Sequence, residues 1–241
     1  MRRRCGDNAM AARSRRPDTG PLAVRVSIAL TLISGLIDAI SFLGLGHVFT
    51  ANMTGNVILI GFAAVGTPGF TLVPSLIALA GFLAGAAATG RFQLAVPEGP
   101  RRILGVLGAE AVLLAGATGV AATTGVRGIG SRSVTIVLLA LAMGVRNTTA
   151  RKLAIPDLTT TMLTMTLVGL ASESSLAGGP NVRTGRRVAA VAALLLGAGA
   201  GAVLLRGYGA AWALLVTVGC VVLTGTGYAL AERNRRSARE A

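Results

Sequence analysis

The chain has 241 residues, of which 53% are hydrophobic and only 13% charged, and its mean hydropathy is +0.70. That balance lies far from ordinary globular usage and reads as an integral membrane protein in a lipid bilayer. The formal net charge of +14 does not point to nucleic acid, because the arginines sit at the two ends and in short connections between apolar runs, where positive-inside topology accounts for them.

Residues 1–20 are polar, Arg-rich and without apolar periodicity, which predicts a disordered cytoplasmic tail. A secretory signal does not fit, because the next apolar run is long, contains Asp38 and lacks a small-residue cleavage site. Cys5 falls in this tail and Cys220 in a late apolar run, so no disulfide is expected. With one histidine and no zinc-ligand spacing, P-loop or dinucleotide fingerprint, neither an enzyme, a metal site nor a cofactor is expected.

Eight apolar runs follow, near residues 24–45, 48–65, 72–90, 103–123, 134–145, 160–170, 188–205 and 210–230. Only some approach the ~20 residues that a spanning helix requires. The second holds a dense polar cluster, and the sixth is about half a span. If all eight crossed, Arg91, Arg101 and Arg102 would share an outside connection, as would Arg146, Arg151 and Lys152, against the positive-inside tendency. With the second and sixth runs broken or re-entrant, six spans remain and both clusters become cytoplasmic, together with both termini.

The two halves resemble each other in order. Gly35 to Asp38 matches Gly144 to Asn147, Thr50 to Thr54 matches Thr160 to Thr164, Phe82 to Gly85 matches Leu194 to Gly197, and Leu114 to Gly116 matches Leu223 to Gly225. Four blocks in preserved order predict a repeat of about 22–123 and 133–231, with a basic tail at 232–241. In the six-span topology the halves run oppositely, an inverted repeat of the transporter type. The expected fold is therefore an all-α membrane bundle of about six transmembrane helices plus two short broken or re-entrant segments centred near Thr54 and Thr164 that meet at mid-membrane.

The segments GLIDAISFLGLGHVFTANMTGN and MGVRNTTARKLAIPDLTTTMLTMTL resemble the two hallmark blocks of the YoaK family of bacterial inner-membrane proteins, over roughly residues 24–230. The resemblance implies about six spans and an inner-membrane location, and no established activity. The second block departs from the family at Arg146, where a neutral polar residue such as glutamine is usual.

Polar groups inside hydrocarbon tend to face a bundle interior or a water-filled path. Asp38, about midway in the first run, is either an ion or proton site or a carboxylate bonded to nearby backbone. Asn52, Thr54 and Asn56 flank Gly55, which can bend the segment; with Thr160, Thr161 and Thr164 they read either as one central site for a small solute or as interhelical hydrogen bonding. Pro156 and Asp157 look like a helix start that caps its own amides. Glu110 is either paired with an arginine or part of transport. Arg146, Arg151 and Lys152 are expected at the cytoplasmic interface, with a substrate clamp as the competing role for Arg146; Asn147 is the repeat counterpart of Asp38. His47 is expected at the outer interface. Small residues at Gly81/Gly85 and Gly197/Gly201 serve close packing, inside the chain or in a homo-oligomer. Two functions stay open: a small-solute transporter or channel, with proton coupling through Asp38, and a non-transporting scaffold or regulatory protein.

Overall fold

The computed structural model describes residues 20–96, 99–153, 163–179 and 184–240, and every regular element among them is helical. In chain order these are α1 (Pro21–Gly44), α2 (Met53–Ala64), α3 (Leu72–Ala95), α4 (Pro100–Thr124), α5 (Ile129–Leu153), α6 (Leu163–Ser172), a 3₁₀ turn (Ser175–Ala177) and α7 (Thr184–Glu240). Pro21 and Pro100 open α1 and α4, where a missing N–H leaves no bond unmade. Five of these helices are long and apolar enough to cross a membrane. The last has 57 residues, about 85 Å if straight against the ~30 Å of a hydrocarbon core. It breaks at Gly209, whose φ of 82° and ψ of 175° leave the helical region, and its two arms make the fifth and sixth spans. α2 and α6, of 12 and 10 residues, are about half a span each.

Contacts along the helices set their directions. The first arm of α7 runs parallel to α1, with Ala190 against Ala23, Val24 and Ile28 at one end and Leu205 against Gly44 at the other. α3 and α5 are also parallel, since Gly81 meets Val137 and Ala140 and Gln93 donates to Thr149. α5 opposes α1, because Arg146 reaches Leu30 and Ser34 while Arg132 lies against Gly46. α4 opposes both α5 and the second arm of α7. The start of α1 and the end of α7 therefore lie at one end of the bundle. That end also carries Arg91, Arg101, Arg102, Arg151, Arg186 and Arg187, whereas the other end carries Arg127, Arg132 and Arg206.

The parallel pairs pack through glycine. A Cβ on Gly35 would collide with the backbone of Leu194 and Ala198, and one on Gly197 with the carbonyl of Leu32. The same contact recurs elsewhere: Gly144 lies against the backbone of Phe82 and Ala86, and Gly85 against the carbonyl of Leu141. These are the pairs that the internal sequence match equates, so one interface is built twice, each time by one helix from either half. The small-residue spacings at Gly81/Gly85 and Gly197/Gly201 are thus used inside the chain. Hydroxyls in the spans are satisfied locally, as in Thr31, Thr89, Thr135 and Thr217, each donating to the carbonyl four residues earlier at 2.8–2.9 Å. The apolar core of Ile33, Ile37, Ile40, Leu114, Ile136, Leu139, Met143, Leu214 and Val221 fills the space between α1, α4, α5 and α7.

Two helices extend beyond the apolar runs. α5 is longer than the run 134–145, because Arg146, Asn147, Thr148 and Thr149 continue it as helix. The basic segment 232–240 continues α7, with Glu232 and Arg236 paired at 3.7 Å. The tail 1–19 and Pro156, Asp157, Thr160 and Thr161 lie outside the described residues.

Gly197→Val is expected to destabilise the protein in detergent by about 1–3 kcal/mol or more through overpacking, whereas Gly90→Ala, with nothing within 4 Å of the new methyl, should leave the melting temperature unchanged or slightly raised. Equal melting of Gly197→Val and the parent would refute the close contact.

Candidate functional site

Past α1 the chain reverses at Gly46 and His47, whose φ values are 91° and 57°, and turns back along the helix it has just left. Phe42 stacks on Phe49 with ring centroids 4.7 Å apart, and Leu45, Val48 and Ala51 are buried. The returning segment is pinned by polar side chains. Asp38 Oδ1 accepts the backbone N–H groups of Thr50 at 3.2 Å and Ala51 at 2.9 Å. Asn56, fully buried, accepts the N–H of Phe49 at 3.0 Å and donates Nδ2 to the Phe49 carbonyl at 2.6 Å. Asn52 caps α2 by accepting the N–H of Gly55 at 3.4 Å. Gly55 is required because a Cβ there would lie 2.6 Å from the Phe49 ring. α2 thus begins just after the segment that Asp38 holds.

One turn before Asp38 on α1, Ser34 belongs to a second cluster. The Arg146 guanidinium pairs with Glu110 Oε1, donates to Ser34 Oγ at 3.0 Å and donates to the Leu30 carbonyl at 3.2 Å. Glu110 is 0% and Arg146 4% exposed. Glu110 Oε2 and Arg146 Nε have no hydrogen-bond partner among the described residues. The backbones of α1 and α5 approach over only a short stretch, since α1 packs chiefly on α7 and α5 on α3 and α4; the Arg146 side chain bridges them. Asp38 lies within Coulombic reach of the same guanidinium. Glu110 and Arg146 therefore pair inside the spans, with Asp38 one turn beyond Ser34 on α1, and a full charge in hydrocarbon is tolerated only with such a partner.

The expectation that Arg146 sits in a solvated interfacial cluster is overturned: it lies in the interior, while Arg151 is exposed. Glu110 does pair with an arginine. Of the other sequence-selected residues, Asp38, Asn52 and Asn56 gather at the returning loop. Thr54 is exposed on α2, which lies on α3, and Thr164 is exposed on α6, which lies on α7; among the described residues each short helix packs chiefly on a long one. Asn147 is half-buried on α5 and His47 is exposed where α1 ends. Two participants escaped the sequence reading. Ser34 shares a helix face with Asp38 at i and i+4, a signal that was present. Gln93, buried and bonded to Thr149 at 2.7 Å, lies near a helix end and carried no such signal.

Long apolar helices, two half-length helices and polar side chains spent within the bundle define a multi-pass α-helical membrane protein. The family model described as "Protein of unknown function (DUF1275)" matches residues 26–226, and the chain belongs to that family. It is 36% identical to the UPF0700 transmembrane protein YoaK of Bacillus subtilis (strain 168) over 149 residues, 61% of this chain and 64% of that relative, so the match spans just under two thirds of the relative's length. No solved structure matches.

Asp38→Ala removes the acceptor for two backbone N–H groups, each worth about 1–3 kcal/mol when left buried and unpaired. A cysteine at Thr50 should become reactive to a membrane-permeant maleimide in that background and stay inert in the parent. Asp38→Asn, which keeps an oxygen at Oδ1, should protect it. Equal labelling in all three would refute the pinned loop.

Proposed function

We propose that the protein is a small-solute carrier or channel of the bacterial plasma (inner) membrane, with its transport site at the Glu110–Arg146 pair and the adjoining Asp38. The observation that carries this reading is the burial of both members of an ion pair, 0% and 4% exposed, where α1, α4 and α5 meet. Ionised groups inside spans are expensive and mark substrate, ion or proton paths. Carriers built as inverted repeats hold their sites where the halves join. α1 and α4 belong to the first half and α5 to the second, and the opposed directions of α1 and α5, with the twice-built glycine contact, support such a repeat. The concentration of arginine at one end of the bundle supports a cytoplasmic orientation for that end and for both termini. Exposed Asn52 and Thr54 at the head of α2, and Thr164 near the head of α6, are assigned to the approach to the site. Two carboxylates beside one arginine suit a cycle in which one of the acids carries a proton.

A non-transporting scaffold or regulatory protein is the second reading. It is favoured by the hydrogen bonds of Asp38, Asn52 and Asn56, spent on the chain's own backbone and on the Met53 sulfur.

Purified protein in vesicles should accumulate at least one member of a solute panel when a pH gradient is imposed. Arg146→Gln and Asp38→Asn should each slow that uptake at least tenfold; the Asp38 variant should also retain the parent's melting temperature. If no solute responds in the wild type and both variants simply melt earlier, the charged cluster is structural and the scaffold reading replaces transport.

A further inference from the structure

We infer that the Arg146 site takes a small carboxylate-sized anion, which displaces Glu110 from the guanidinium as Glu110 takes up a proton. The inference rests on the transport reading above and names the substrate class for the same site. Its first ground is the incomplete wiring of the pair. Glu110 uses one oxygen on Arg146, while its Oε2 and Arg146 Nε have no partner among the described residues. A guanidinium presents a fork of donors that matches a carboxylate in two-point fashion; here the protein's own carboxylate does not fill it. A ligand carboxylate offers the oxygens that Glu110 leaves unused.

The second ground is a cleft on the same helices. A cleft of about 510 Å³ opens at the end of the bundle opposite the arginine-rich one, where α1, α4 and the break in α7 meet. Gly44, Thr124, Arg127 and Tyr208 are among its lining residues. By helix rise, Gly44 lies about 15 Å above Ser34 and Thr124 about 21 Å above Glu110, so the cleft sits on the two helices that supply the pair's carboxylate and serine, and buried Ile37, Ile40, Leu114 and Ala117 between them must part for an anion to pass. Arg127 places a positive charge at the mouth, which draws anions in.

The exchange balances. An anion and a proton enter together: the proton goes to the Glu110 carboxylate, the anion takes its place on Arg146, and the number of buried charges is unchanged. That matters because an unpaired charge in this interior is strongly disfavoured. The charged groups facing Glu110 are Arg146 from α5 and, through it, Asp38 from α1. The arms of α7 bring none to this depth: residues 188–205 and 210–231 contain no Asp, Glu, Lys or Arg, and their titratable side chains are Cys220 and Tyr228.

Infrared difference spectroscopy on the full-length protein in a lipid film, perfused with ¹³C-acetate against sulfate at equal ionic strength, tests this. Acetate should produce the carbonyl stretch of a newly protonated carboxylic acid in the wild type. That band should vanish in Glu110→Gln, which should bind acetate at least tenfold more tightly at pH 8, and Arg146→Gln should not bind it. No acetate-induced acid band in the wild type overturns the inference, even if neither variant folds. So does an unchanged band in Glu110→Gln. Vesicle uptake of a neutral or cationic solute without the acetate band leaves transport standing and removes the anion. The acetate band without flux of any solute leaves the anion site standing and removes transport.

Discussion

A guanidinium and a carboxylate held together out of water are the constraint around which the bundle is arranged. Taking either charge alone from water into hydrocarbon is penalised by several kcal/mol, and removing one member of a buried pair leaves that penalty uncompensated. Glu110 and Arg146 can therefore be tolerated at this depth only if α4 and α5 hold one register. The further bonds from Arg146 to Ser34 and the Leu30 carbonyl bring α1 into the same register. Asp38, one turn further along α1, then fixes where the chain may return after Gly46, and the head of α2 follows from that.

Around this polar centre the apolar architecture is nearly duplicated. α1 with the first arm of α7, and α5 with α3, are parallel pairs closed by glycines that let one backbone touch another. Each pair draws one helix from either half, so neither half can be lifted away from the other without opening both interfaces. The charged cluster falls between these pairs rather than within one. Such an arrangement concentrates rigidity in the two glycine interfaces and leaves the junction of α1, α4 and α5 as the place where a rearrangement would have to change ionic contacts.

Much of the bundle was legible in the sequence because run length, arginine placement and repeated blocks all point the same way. The six long rods, the two half-length helices and the glycine spacings follow from those signals. α5 was misjudged because Arg146, Asn147, Thr148 and Thr149 look like an interface when read along the chain, and only their tertiary partners make them interior. Which arginine Glu110 pairs with could not be read, because the two members lie 36 positions apart on helices whose facing surfaces depend on the whole fold. Asp38 was recognisable as a costly acid, but its acceptor role depends on the reversal at Gly46 and His47, where a non-glycine residue adopts a positive φ that no local pattern announces. Thr54 and Thr164 were read as repeat counterparts, and that match carries no information on which long helix each short one lies against.

The central claim is that Glu110 and Arg146 depend on each other. A double-mutant cycle with Glu110→Leu and Arg146→Met, followed by reversible unfolding in mixed micelles, measures that dependence directly. Each single change should lower stability by about 3–5 kcal/mol, and the double change should lose less than the sum by on the order of 2 kcal/mol or more. Single effects below about 1 kcal/mol that add without coupling, the behaviour of an exposed pair, would contradict the account.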